Sequence, residues 1–202
     1  MEDKAFLSYR NEVIASLNKH DVEYKLVGGS VVQLIDSSRK TVDLDMLISK
    51  TKENLRRFIA ALVDCGFASE VELRNQIFGS GRQETPDEAY DAFQLESSNP
   101  RWGKFHLDMC FQLGGKFTYE NSHSETHTTD TGLKIRSVPY KYVAHMKANV
   151  WPQPRPRDIE DIHTIADHLG IDPVTGEPIK TAEKNKRFLP LRDRNKKKGR
   201  DL

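Results

Sequence analysis

Apolar positions along this chain change period several times, and each change marks an element. Over residues 3–19, Phe6, Val13, Ile14 and Leu17 fall on one broad face at helical spacing. Residues 24–27 form a short apolar run that reads as a strand, and Gly28-Gly29 then lets the backbone turn tightly. Residues 30–35 read as one short helix, and residues 42–48 as a second apolar strand interrupted by Asp43 and Asp45. Thr51 is placed to cap a helix whose stripe is Leu55, Phe58, Ile59, Leu62 and Val63, with Gly66 closing it. The opening order is therefore helix, then βαβα.

The middle of the chain reads mostly as strands and turns. Residues 67–78 alternate loosely between apolar and polar, and Gly79-Ser80-Gly81 and Thr85-Pro86-Asp87 punctuate a loop. Residues 92–95 read as a short strand and residues 105–111 as a clearer one, with Asp108 on the same face as His106 and Cys110. Residues 114–132 are polar, and read as a hairpin or an excursion over the surface. His123 and His127 lie four apart there, but without a helical apolar pattern or a carboxylate cluster, so they read as solvated loop histidines. A strand over 133–138 leads into a helix opened by Pro139, with Tyr142, Val143, Met146 and Val150 as its stripe and Lys147 beside it. Prolines over 152–156 break that helix. A last helix follows from Arg157, carries Ile159, Ile162, Ala166 and Leu169 on its apolar face, and stops at Gly170.

Composition adds bounds. The chain has 202 residues, of which 37% are hydrophobic and 30% charged, which suits one domain over 1–180 with a highly charged surface. No apolar run reaches membrane-spanning length, and Met1-Glu2-Asp3-Lys4 lacks the form of a secretory signal, so a cytoplasmic protein without a membrane partner is expected. Cys65 and Cys110 sit in apolar surroundings and read as buried thiols of a reducing compartment. The net charge of +1 hides an asymmetry: residues 183–202 carry a net +6 and the rest of the chain a net −5. The segment 181–202 is expected to be disordered, either as a solubilising end or as an electrostatic contact to RNA or DNA.

The candidate chemistry gathers around Gly28, Gly29 and Ser30. Free N–H groups at the start of a helix favour an anion such as a phosphate. Asp43 and Asp45, at i and i+2 on a strand, project from one face and suit a pair of divalent cations. Asp108 is either a third carboxylate of that group or an acid paired at a strand edge. Asp158 and Asp161 lie in the first turn of the last helix, where acids favour the helix dipole.

An apolar residue, Gly29-Ser30, a helix-length gap and Asp43-x-Asp45 together resemble the signature of the polymerase-β-like nucleotidyltransferase superfamily. Arg39-x-Thr41-x-Asp43-x-Asp45, then Val138-Pro139, Lys147 and Arg157-Asp158-x-x-Asp161-Ile162 resemble its AbiEii/MenA-like toxin branch. The resemblance covers residues 24–169 and implies an α+β (α/β) nucleotidyltransferase fold, a mixed sheet flanked by helices. It implies a Mg²⁺-dependent enzyme that moves a nucleoside monophosphate from an NTP to an acceptor hydroxyl and releases pyrophosphate. Asp43, Asp45 and Asp108 would hold two Mg²⁺ ions, while Gly28, Gly29, Ser30 and Lys147 would contact the phosphates. Asp158 would be a catalytic or lysine-orienting acid, Asp161 a structural one pairing with Arg155 or Arg157, and Arg39 and Thr41 would fix the loop that presents the carboxylates. The implied acceptor is RNA, tRNA or protein, RNA being reached through the basic tail, and the toxin branch implies a cognate antitoxin. Two alternatives stay open: transfer to a small molecule of the antibiotic type, and a nucleotide-sensing or partner-binding module without turnover.

Overall fold

A computed structural model describes residues 2–177, apart from 42, 82–84, 104, 114–115, 150–152 and 174. The basic segment 181–202 and the expected stripe residue Val150 lie outside the described residues. In chain order the elements are α1 (Glu2–Lys19), β1 (Tyr24–Leu26), α2 (Gly28–Val32), β2 (Asp43–Ile48), α3 (Lys52–Asp64) and α4 (Glu70–Phe78). They continue with β3 (Ala92–Glu96), β4 (His106–Cys110), β5 (Gln112–Leu113), β6 (Phe117–Thr118), β7 (Glu125–Thr128), β8 (Lys134–Ser137), α5 (Tyr140–Ala148) and α6 (Pro156–Leu169).

Six strands form one mixed sheet in the order β3-β4-β2-β1-β8-β7, and β5 with β6 forms a separate two-stranded ribbon. The β2–β4 and β1–β8 pairs are parallel and the other three in the large sheet are antiparallel. Two groups of helices flank the sheet: α3 packs on α1 and α4, and α2 packs on α5 and α6. Along β2 and β4, Leu44, Met46, Leu107 and Met109 are buried and belong to the core with Ile14, Leu17, Phe58 and Leu62. Asp43, Asp45, His106 and Asp108 alternate with them and are half-buried. The period of two therefore turns one face of these strands to the core and the other to polar chemistry. No helix among the described residues is long and apolar enough to cross a membrane.

Several elements depart from the sequence reading. Residues 70–78 form α4, where loose alternation suggested strand. Ser69 accepts the backbone N–H of Glu72 while Glu72 accepts that of Ser69, a capping box that outweighs the alternation, and Leu73 and Ile77 bury one side of the turn. The short helix begins at Gly28, two residues earlier than expected. Of the two readings of the polar stretch 114–132, the hairpin is the one found: β7 within it pairs antiparallel with β8 and extends the main sheet. His127 is not a solvated loop residue: its Nε2 lies 2.8 Å from the hydroxyl of Ser137, which is fully buried, and its Nδ1 lies 3.3 Å from the Tyr140 hydroxyl. Nearby, the buried Lys25 ammonium donates to the carbonyl and the hydroxyl of Ser122, at 2.7 and 2.9 Å, tying the segment before β7 to the centre of the sheet.

An aromatic cluster closes the start of β4. Trp102 is fully buried, lies 5.4 Å from Phe67 and 5.8 Å from Phe105 between ring centroids, and donates its indole N–H to the Gly66 carbonyl at 2.9 Å. Phe6 and Tyr9 of α1 complete the group. Truncation here removes a large, fully buried side chain and one of the two donors to the Gly66 carbonyl, the other being the Asn99 amide at 2.9 Å. We predict that Trp102→Ala lowers the free energy of unfolding by about 3–5 kcal/mol in urea titrations. A loss below about 1 kcal/mol would show that this cluster does not anchor β4.

Candidate active site in a carboxylate-lined cleft

The sheet register brings the acids together. β2 and β4 pair in parallel with Asp43 opposite His106 and Asp45 opposite Asp108, so all four side chains leave the same face. β3 extends the grid with Glu96 opposite His106 and Gln94 opposite Asp108. A cleft of about 620 Å³ opens over this face, lined among others by Gly28, Asp45, Asp108, Lys147, Arg155 and Asp158.

Ser30 clips the first two carboxylates in place. Its hydroxyl donates to the Asp43 carbonyl at 3.2 Å and accepts the Asp45 N–H at 3.0 Å, with the residue fully buried. Thr41 also donates to the Asp43 carbonyl, at 3.1 Å. The Asp45 carboxylate accepts the Gly29 N–H at 3.1 Å and faces the N–H of Ser30 as well. The anion held by the glycine turn is thus the protein's own Asp45. Gly29 and Ser30, expected to contact phosphate, turn these N–H groups toward Asp45 in this structure. Gly28 does line the cleft, and its φ of +57° together with Asp45 Oδ2 at 2.7 Å from an added Cβ requires glycine.

Electrostatics mark the same residues. Burial and the neighbouring Asp108 push the Asp45 carboxyl up to about 6, with Asp43 adding to the rise. Burial and Asp108 also push Asp43 up, against the opposing pull of His106, Arg157 and Arg39. Asp108 is steadied by Gln94, whose amide donates to its Oδ1 at 2.7 Å. The Nδ1 of His106 is buried and has no hydrogen-bond partner among the described residues, with Glu96 Oε1 4.0 Å away. Cys110, on the same face, is driven up to about 12 by burial and by Asp45 and Asp108, which makes its thiol a poor nucleophile.

Lys147 reaches this cleft inside a lattice of ion pairs. Its Nζ lies 3.0 Å from Asp158 Oδ1 and 2.7 Å from Asp161 Oδ2, and its side chain is 9% exposed. Arg155 donates to Asp158 from its backbone N–H, Nε and Nη2. Burial raises Asp158, but the hydrogen bonds from Arg155 and Lys147 prevail and hold it well below the usual carboxylate range. Asp161 is pulled down in the same way by Arg39 and Lys147. Its partners are therefore Arg39 and Lys147, in place of the expected Arg155 or Arg157. Arg39 forks onto it from Nε at 2.7 Å and Nη2 at 2.9 Å. Of the two roles expected for Asp158, the lysine-orienting one matches these contacts.

Hard carboxylate oxygens crowded on one face, with their repulsion raising a pKa, are the donor set that suits Mg²⁺. Among the described residues, no three His, Cys, Asp or Glu side chains are already grouped closely enough to grip an ion. Sequence reasoning missed Gln94 and Glu96, and it gave Arg155 to Asp161 where the structure gives it to Asp158. The alternation over 92–96 carried a signal for the first two, since a strand beside Asp108 must present i and i+2 residues to the same cleft. No family model matches the chain, and no curated protein matches its sequence.

Asp45 binds its proton more tightly in the folded chain, at about 6, than at its ordinary 3.8, so its ionisation lowers stability as pH rises through about 6. We predict that Asp45→Asn raises the metal-free thermal midpoint at pH 8 and that the gain fades to nothing below about pH 4. A midpoint difference independent of pH would place the repulsion elsewhere.

Proposed function

We propose that this chain is a Mg²⁺-dependent nucleotidyltransferase of the polymerase-β-like class, which moves a nucleoside monophosphate from an NTP to an acceptor hydroxyl. The observation that carries the proposal is the register of β2 and β4, which sets Asp43, Asp45 and Asp108 on one face, with Asp45 and Asp108 lining a cleft that Lys147 and Arg155 also line. The mixed sheet with flanking helices is compatible with that fold.

Asp43, Asp45 and Asp108 would hold Mg²⁺. When bound, the metal neutralises the triphosphate and lowers the pKa of an attacking hydroxyl. Lys147 and Arg155 bring positive charge to the same cleft, where charge grows on the departing pyrophosphate. Asp158 and Asp161 hold the Lys147 Nζ in one place. Asp108, oriented by Gln94, accepts the proton of the acceptor hydroxyl. The acceptor we favour is RNA, drawn in by the basic segment 181–202, and a cognate antitoxin would be the partner of a toxin with this activity.

Incubation with each labelled NTP and total RNA, with and without Mg²⁺, tests the reaction. We predict Mg²⁺-dependent label transfer that Asp43→Asn and Asp45→Asn each abolish, with the folded state retained and Mg²⁺-dependent thermal stabilisation reduced. Full transfer by either variant would sink the metal assignment, and label in small molecules alone would redirect the acceptor.

Lys147 demands a separate variant, because its removal leaves two acids with fewer counter-charges. We predict that Lys147→Ala weakens NTP binding or slows transfer by one to two orders of magnitude, the equivalent of roughly 1.5–3 kcal/mol for a charge-assisted hydrogen bond. It should also lower the thermal midpoint, since a buried ion pair is broken on one side. Loss of midpoint with unchanged binding and turnover would make Lys147 purely structural.

A further inference from the structure

A second cavity, of about 300 Å³, adjoins the carboxylate cleft. The two share Leu113 and Met146 in their walls. Tyr142, His145 and Met146 stand at i, i+3 and i+4 on α5 and line this cavity, while Lys147, the next residue, lines the cleft. Leu113 and Phe117, from the β5–β6 ribbon, cover the opposite side. The Phe117 and Tyr142 rings lie 5.7 Å apart, tilted by 35°, and Phe117 is 37% exposed. Polar groups are few: the Lys141 ammonium, 5.7 Å from the Tyr142 ring, the His145 ring and Ser122.

We infer that this cavity seats the base of the nucleotide whose phosphates occupy the carboxylate cleft. The inference rests on the nucleotidyltransferase reading and extends it to the part of the substrate that the acids do not touch. Three features favour a planar heteroaromatic ring over an aliphatic chain. The lining combines two aromatic rings with a thioether, and both surfaces stack on flat rings. Its few polar groups suit the edge of a base, as ligand pockets pair an apolar lining with a small number of placed polar groups. The cavity also abuts the cleft, the two sharing Met146 and Leu113 as walls, so a ligand laid over Met146 would have a charged end at Lys147 and a flat end at Tyr142. The Lys141 ammonium donates and never accepts, which favours a base edge rich in acceptors.

The test compares the full chain with Tyr142→Ala and Phe117→Ala, titrated by calorimetry with the Mg²⁺ complexes of the four NTPs and of inorganic tripolyphosphate. Tripolyphosphate carries the charges but no base. The expected result is that at least one NTP binds roughly tenfold or more tightly than tripolyphosphate, as stacking on an aromatic side chain provides. Each variant should erase that preference and leave tripolyphosphate binding unchanged. Phe117, partly exposed on the ribbon, guards against a folding defect in Tyr142→Ala, and thermal melts of both report it. Equal affinity of wild type for NTP and tripolyphosphate overturns the base seat while the carboxylate reading stands. So does unchanged NTP preference in both variants, or an equal loss for both ligands. Failure of both ligands to bind the wild-type chain overturns the nucleotidyltransferase reading and the base seat with it.

Discussion

Asp161 and Asp158 on α6 bind three basic groups from three parts of the chain, and this lattice of charge, buried except at Arg155, holds the cleft together. Arg39 follows α2, Lys147 sits on α5 and Arg155 opens α6. Arg39 and Asp161 are 122 residues apart in sequence. Taking each ion from water costs several kcal/mol, so such a lattice survives only where every charge meets good partners. Asp158 meets two, Asp161 meets two, and the Arg39–Asp161 fork has ideal bidentate geometry. The arrangement also dictates a residue nearby. A Cβ on Gly29 would lie 2.5 Å from the Arg39 guanidinium, which is pinned and cannot swing away without giving up Asp161. The glycine turn and the ion lattice are therefore one unit, and they fix α2 against α5 and α6.

Opposite that compensated lattice stands an uncompensated one. Asp43, Asp45 and Asp108 share a face with too few cations among them, and the raised Asp45 carboxyl is the physical sign of the mismatch. A chain selected for stability alone would not place three acids there, since aspartate is disfavoured in strands and like charges repel. Strongly perturbed acids in a cleft are the usual mark of a working site. The protein moderates the strain by turning the Gly29 and Ser30 N–H groups toward Asp45, so that local backbone dipoles offset part of its charge. Two kinds of electrostatic order thus line one cleft, the compensated one at Lys147 and the uncompensated one at Asp45 and Asp108.

The parts legible in the sequence were those set by local period. Alternation over 43–48 put Asp43 and Asp45 on one face, and alternation over 105–111 did the same for His106 and Asp108, because side-chain direction in a strand follows from the backbone alone. Helical spacing located α1, α3, α5 and α6, with Gly170 closing the last in a left-handed conformation as a stop signal should. Residues 70–78 were misread for an equally local reason. Their apolar pattern is weak, and the deciding signal was the Ser69–Glu72 capping box. A hairpin was one reading of 114–132, but the bounds of β7 and the place of His127 were illegible because β7 is polar along its length and owes its place to pairing with β8.

What the sequence by itself determined was which residues share a strand or helix face, and hence that carboxylates at i and i+2 act together. What the tertiary structure alone decided was which faces meet. The parallel register of β2 and β4 sets Asp108 beside Asp45, and a slip of one residue would send it to the core. Folding also gave Asp161 to Arg39 and the glycine-turn N–H groups to Asp45, and it roofed α5 with the β5–β6 ribbon. Each of these is a contact between segments distant in sequence. Its partner is chosen by packing and charge compensation across the whole fold, and no local pattern carries that information.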